Sequence, residues 1–241
     1  SAFATKVLAF IELFRRGAPL PLKVQTRNTI PPAAGLASSA SGFAALMGAL
    51  NEAFQLGLDR SQQSLFARLG SGSATRSFWD GFVCWERGSA EDGSDSRGVP
   101  LDIVWPEFRI ALLPIDTGPK SHSSRDGMNH TVETSPLYAN WPAQAELDYQ
   151  QVCAALQQRN FEVLGPLVEA NALAMHATML AARPAIRYLN PTSWTTLAML
   201  ESARADGLAA YATMDAGPNI KLIFLDESLP DVQSLFPTAR V

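Results

Sequence analysis

The sequence predicts an α+β chain, on three observations. Short strand-like runs alternate with helices over the first half, strong helical periodicity fills residues 135–202, and two strand-like runs joined by the turn DAGPN come last. Alternation followed by a segregated helical cluster is the pattern of α+β folds. With 241 residues, 47% of them hydrophobic, the chain can bury a sizeable core as one large domain or two joined halves.

The elements follow in order. Residues 2–14 (AFATKVLAFIELF) place apolar side chains at helical spacing and predict an amphipathic helix. Residues 19–26 (PLPLKVQT) predict a strand. A Gly- and Ser-rich loop at 31–42 runs into a long helix reaching about Phe54. Asp59 predicts the cap of a short helix that Gly70 closes. Residues 71–77 (SGSATRS) form a small-residue loop with one arginine, and 81–85 (GFVCW) predict a strand. Residues 88–98 are polar and turn-rich, a surface loop. Residues 108–115 (FRIALLPI) predict a buried strand, and 120–128 a second Ser- and Gly-rich loop. Helices are expected at 142–158, 161–180 and 191–206, and strands at 209–214 and 220–225. A division near residues 115–135 is expected, with a ligand in the cleft between the halves.

Composition excludes several classes. A formal net charge of −4 argues against a general nucleic-acid binder, so positive charge for a phosphate ligand must be placed locally. Cys84 and Cys153 lie far apart, which fits neither a disulfide framework nor a zinc site. His122, His130 and His176 lack metal-ligand spacing. No apolar run approaches the roughly 20 residues that span a bilayer, and no secretory signal is visible, so a cytoplasmic location is expected. The chain begins with Ser1, and its first residues read as mid-domain.

The most informative segment is residues 31–42, PPAAGLASSASG. It sets small residues and two adjacent hydroxyls, Ser38 and Ser39, at the start of an apolar helix. The first helical turn offers unpaired N–H donors and the positive end of the dipole, so an anion fits there. Gly35 lets the backbone approach a ligand, and the serines can reach phosphate or a phosphate-bound metal. No lysine follows Gly35 or Gly42 in the Walker pattern, and GxGxxG is absent. Arg76, in SGSATRS, can grip a carboxylate or phosphate with two parallel bonds. Lys120, Ser123, Ser124 and Arg125 combine hydroxyls and cations in a way that suits a diphosphate. Asp215 follows a strand-like run, where a carboxylate can take a proton from a hydroxyl; Asp126 and Glu133 are competing acids.

Pro31, Gly35, Leu36, Ser38, Ser39 and Ala40 match the PxxxGLxSSA phosphate loop of the GHMP kinase superfamily. NTIPPAAGLASSASGFAAL, GSGSATRSFWDGFVCW, SSRDGM, VETSPLY, YLNPTSW and DAGPN, in this order, resemble the mevalonate diphosphate decarboxylases within it. The resemblance implies a GHMP-kinase-like two-lobed α+β fold with a central cleft: residues 1–120 as an ATP-binding lobe incomplete at its start, and 121–241 as the C-terminal lobe. It implies ATP and Mg2+ as cofactors, the phosphates held by Ala34, Gly35, Leu36, Ala37, Ser38, Ser39 and Ser41, with Thr26 and Asn28 approaching the nucleotide and Ser38 and Ser39 nearest the metal. Ser71, Gly72, Ser73 and Arg76 would bind the mevalonate part, Arg76 near its carboxylate. Ser123 and Ser124 would hold the diphosphate, and Asp215 would face the tertiary 3-hydroxyl. The implied reaction is ATP-dependent decarboxylation of mevalonate 5-diphosphate by a homodimer. A 3-kinase or monophosphate-specific relative, and a non-catalytic paralogue, are the alternatives. Family members begin with a KYWGK-like strand that does not occur here, and Thr75 stands where a cysteine is frequent.

Overall fold

The computed structural model describes residues 2–15, 21–27, 38–116, 118 and 123–241. They form two compact units, one running to Val104 and one spanning Trp105–Val241.

Among the described residues, the N-terminal unit holds three α-helices: α1 (Ala2–Arg15), α2 (Ser38–Ala53) and α3 (Arg60–Gly70). Their apolar faces meet in a core of Phe10, Ile11, Phe14, Phe43, Met47, Leu50 and Ala67. Phe10 stacks edge-on against both Phe14 and Phe43, with ring centroids 5.2 Å apart in each pair. Edge-to-face geometry adds to simple burial. α3 starts as the sequence predicts: Asp59 accepts from the Gln62 N–H, and the Gln62 side chain returns a bond to the Asp59 backbone. This reciprocal cap satisfies two donors that a helix start leaves unpaired. A 3-10 helix, Gly72–Arg76, follows, then the antiparallel pair β1 (Val83–Trp85) and β2 (Gly98–Pro100).

Two expectations fail in this half. Residues 21–27 are exposed and form no strand. Pro19 and Pro21 remove ladder donors there, and an exposed segment gains nothing from strand pairing. The small-residue loop at 71–77 is a 3-10 helix over most of its length.

The second unit is a three-stranded antiparallel sheet in the order β3 (Phe108–Leu113), β5 (Ile220–Leu225), β4 (Ala210–Met214). Leu113 pairs with Ile220 and Met214 with the same residue, so the end of β3 and the turn after β4 lie together. β3 therefore belongs with the C-terminal unit, and the compact units divide earlier than the 120/121 position expected from sequence. The helices are α4 (Ser124–Thr134), α5 (Trp141–Gln158), α6 (Phe161–Leu180), α7 (Pro191–Ala205) and α8 (Leu229–Leu235). α4 corrects the loop expected at 120–128. Ser123 caps it, and a run of Ser, Arg, Asp and Gly hides the helix from a composition-based reading.

α6 is long and apolar enough, by length and composition, to cross a membrane, which the sequence reading denied of every run. In this fold it packs between α5 and β4. Its Asn171 donates to the buried Asp148 of α5 at 2.8 Å, and its Glu169 accepts from the Ala212 N–H of β4 at 2.7 Å. Arg204 of α7 completes that group with a 2.8 Å ion pair to Glu169.

Candidate functional site

Each unit carries its own set of predicted site residues. In the N-terminal unit, Ser38 and Ser39 occupy the first turn of α2, which contains no acidic side chain. The turn itself thus supplies no competing anion to its own N–H groups, which favours a phosphate there. The Ser39 hydroxyl lies 3.0 Å from that of Ser71, which lies 3.5 Å from that of Ser73. The start of α2 and the start of the 3-10 helix thus share one row of hydroxyls. Ser41 is exposed and donates to the Ser38 carbonyl at 3.3 Å. Thr26 is exposed, outside regular structure. Asn28, Ala34, Gly35, Leu36 and Ala37 lie outside the described residues, as do Lys120 and His122.

The 3-10 helix is held from beneath. The wholly buried Ser64 of α3 donates to the Thr75 carbonyl at 2.8 Å and accepts from the Gly98 N–H at 2.8 Å. The Thr75 hydroxyl turns inward to the Gly72 carbonyl, so this side chain serves the backbone of the loop. Gly72 packs under Trp85; a Cβ there would come within 2.6 Å of the indole ring. Arg76, by contrast, is exposed at the last turn and forms no ion pair among the described residues.

In the C-terminal unit, Asp215 leaves the end of β4 as the exposed residue of a largely covered turn. Asn219, 2% exposed, fixes that turn. Its carbonyl oxygen accepts from the Ile115 and Asp116 N–H groups at 2.6 and 2.9 Å, and its amide donates to the Asp116 carbonyl at 2.9 Å. Ser193 of α7 donates to the Pro218 carbonyl at 2.8 Å. The Asp215 carboxylate is ion-paired with Lys221 of β5. Sequence reasoning missed Lys221, although a lysine within the apolar run IKLIFL is itself a signal. The turn sets residue 213 across from 221, which brings the lysine to the acid.

Ser123 and Ser124 are exposed at the N-terminus of α4. The Ser123 hydroxyl donates to the Asp126 carboxylate at 2.6 Å and accepts from its N–H at 3.1 Å. Asp126 is thereby committed to the helix start, which separates it from Asp215 as a candidate acid. Behind Asp215 stands His176 of α6, 3% exposed. Burial pushes its pKa down, opposed by a hydrogen bond to the Asp215 backbone and by the charge of that residue. Among the described residues no group of three or more His, Cys, Asp or Glu is placed to hold a metal ion. Magnesium here would need the phosphate oxygens of a nucleotide with hydroxyl support, and Ser38 and Ser39 fit that donor chemistry.

Residues 1–98 match the Diphosphomevalonate decarboxylase-like N-terminal domain. Residues 110–239, more than half of the chain, match the Mevalonate 5-diphosphate decarboxylase C-terminal domain. The chain belongs to the mevalonate 5-diphosphate decarboxylase family. A family relative, the diphosphomevalonate decarboxylase of Candida albicans, is 39% identical over 215 residues, covering 88% of this chain and 59% of the relative. The chain thus spans a little over half the length of the curated relatives it matches. The mevalonate diphosphate decarboxylase of Enterococcus faecalis superposes with a TM-score of 0.86 at 40% identity, over 97% of this chain and 71% of that one. The structure of MDDEF in complex with MVAPP, AMPPCP and magnesium gives 0.86 at 41% identity, over 95% of this chain and 71% of that one. The α+β, GHMP-kinase-like fold expected from the sequence is the fold of these family structures.

Proposed function

We propose that the protein decarboxylates mevalonate 5-diphosphate at the expense of ATP, giving isopentenyl diphosphate, ADP, phosphate and CO2. The observation that carries this reading is the agreement of both units with the two halves of one family. A relative with the same fold binds MVAPP together with an ATP analogue and magnesium.

Bound Mg-ATP supplies the phosphoryl group and shields its charge. The residues of this chain do the rest. The first turn of α2, with Ser38 and Ser39, holds nucleotide phosphates through N–H and O–H donors. The exposed N-terminal end of α4, with Ser123 and Ser124, holds the substrate diphosphate through hydroxyl donors, the diphosphate taking over the Ser123 hydroxyl from Asp126. Arg76 pairs with the substrate carboxylate. Asp215 orients the tertiary hydroxyl and takes its proton as the oxygen accepts the phosphoryl group. The carbon–oxygen bond then breaks with loss of phosphate. The carbon–carbon bond to the carboxylate breaks next, and its electron pair forms the new double bond as CO2 leaves. Fixing the carboxylate on Arg76 aligns that second bond, so positioning and electrostatics supply most of the acceleration. Homodimeric assembly and a cytoplasmic location belong to the same proposal, resting on the family resemblance.

The test is a coupled assay of the protein with Mg-ATP and mevalonate 5-diphosphate, following ADP and CO2 together. Equal release of both is expected. ADP without CO2 would replace the decarboxylase reading with a 3-kinase, and release of neither would overturn it.

A further inference from the structure

We infer that His176 and Tyr188 form a positioning strut that ties the Asp215 turn to the N-terminal end of α4. The inference rests on the roles proposed above for Asp215 and for Ser123 and Ser124. The strut can be followed from group to group. The His176 ring lies close enough to the Asp215 turn for its backbone and its charge to act on the imidazole. That ring meets the ring of Tyr188 edge-on, with centroids 6.4 Å apart and planes at 82°. The Tyr188 hydroxyl donates to the Ser123 carbonyl at 3.1 Å. Both side chains are buried, at 3% and 6% exposure, and Tyr188 packs in a cluster with Met175, Met179, Ile186 and Ala216. Ala216 belongs to the Asp215 turn itself, so the cluster that holds Tyr188 grips the turn by packing.

Two features separate a strut from ordinary packing. The first is the cost of the imidazole. His176 is desolvated, and its Nε2 has no hydrogen-bond partner among the described residues. A leucine would fill such a space without that penalty, so the polar ring is accounted for by its electrostatic tie to the Asp215 turn. The second is Gly127, in the first turn of α4. A Cβ at this position would lie 2.4 Å from the Tyr188 hydroxyl oxygen. Only glycine admits the phenol to the Ser123 carbonyl, so α4 is shaped to receive it.

The strut packs on the Asp215 turn at one end and bonds the Ser123 carbonyl at the other. It sets the position of Asp215 and of the start of α4 without using the Asp215 carboxylate or the Ser124 hydroxyl. Reacting groups held in this way lose rate steeply when displaced, by on the order of 100-fold for about 1 Å.

The test uses the full chain carrying Tyr188→Phe, His176→Leu or both, with Asp215→Asn alongside. With Mg-ATP and mevalonate 5-diphosphate, each strut substitution is expected to lower kcat about 10-fold, with KM for ATP within about 2-fold of wild type. The double variant is expected to be no worse than the weaker single variant, because the two residues act as one unit. Wild-type kcat in Tyr188→Phe, or fully additive losses, would overturn the strut while leaving the Asp215 reading intact. Amide hydrogen exchange decides the matter independently of turnover. The Gly127 N–H bonds the Ser123 carbonyl at 2.9 Å and the Gly217 N–H bonds the Asp215 carbonyl at 2.7 Å, one at each end. Tyr188→Phe, which preserves the ring and the packing, is expected to speed exchange at both amides together by about 10-fold. A change confined to one end rejects the strut, even if the wild-type chain proved inactive on this substrate and the function reading fell.

Discussion

The 3-10 helix carrying Arg76 and the turn carrying Asp215 are both fastened from behind by a buried polar side chain. Ser64 grips the first through the Thr75 carbonyl, and Asn219 grips the second through three backbone groups of residues 115 and 116. They differ in the charge they present. Arg76 is exposed and has no ion-pair partner among the described residues, whereas Asp215 carries Lys221 with it. A cation left uncommitted gains most from a ligand that brings its own negative charge. An acid that must face an uncharged hydroxyl beside phosphates benefits from a local cation that limits repulsion. The contrast supports the proposed division of roles, Arg76 in substrate recognition and Asp215 in chemistry.

The largest effect is expected where the contrast is sharpest. Asp215→Asn keeps the shape of the turn and removes the proton acceptor. Turnover should fall by about 100- to 10,000-fold, the range for loss of a general base, with nucleotide binding little changed. Single-turnover kinetics and ATP titration separate the two, and wild-type-like turnover would dissolve the distinction between the regions.

Next comes Arg76→Ala, with an expected loss of about 10- to 100-fold in kcat/KM for the carboxylated substrate, as for a charge-assisted pair. Arg76→Lys should recover only part of it, because lysine keeps the charge without the planar fork. Full recovery by lysine would mean that the site reads charge alone, and unchanged kcat/KM in both variants would remove Arg76 from it.

Asn219→Ala addresses the fastening. It strands the Ile115 and Asp116 N–H groups together, at an expected cost of about 2–3 kcal/mol by denaturant unfolding. Ser64→Ala is the matching probe in the other unit. Its Gly98 N–H and Thr75 carbonyl would lose their shared partner, at about 1–3 kcal/mol. If only one of the two variants is destabilised, the parallel between the fastenings fails.

What could be read from sequence follows the range of the interactions. The Asp59 cap, and the helices later found at Trp141–Gln158, Phe161–Leu180 and Pro191–Ala205, are set by residues within a few positions of one another. The motif serines were legible too, and the structure brings Ser39, Ser71 and Ser73 into one row. The membership of β3 was not legible, because its partner β5 lies more than a hundred residues on and no periodicity encodes that pairing. The α4 helix was hidden by residues that also favour turns, and its start depends on Ser123 as a cap. Lys221 and Tyr188 were missed because each acts across the fold, on Asp215 and on the Ser123 carbonyl.

The smallest effect belongs to His176 and distinguishes the two units by pH. Its pKa is pushed below the ordinary 6.5 by burial, so the folded state binds less proton than the unfolded state over the range just beneath that value. Stability therefore declines as pH falls through 6.5 toward the depressed folded pKa, and above 6.5 this contribution is constant. Substituting leucine removes the titration. Denaturant unfolding at pH 7.5 and 5.5 should show the wild-type protein losing more stability than His176→Leu on acidification, whatever the two values are at pH 7.5. The other histidines are common to both proteins and cancel in the comparison. The effect should concentrate in the unit that contains Asp215, so amides of α6 and of the 215–219 turn should lose protection in acid before those of α2 and α3. Equal acid sensitivity of both proteins would mean that the ring is protonated as readily in the fold as outside it, against the burial from which the depressed pKa was argued.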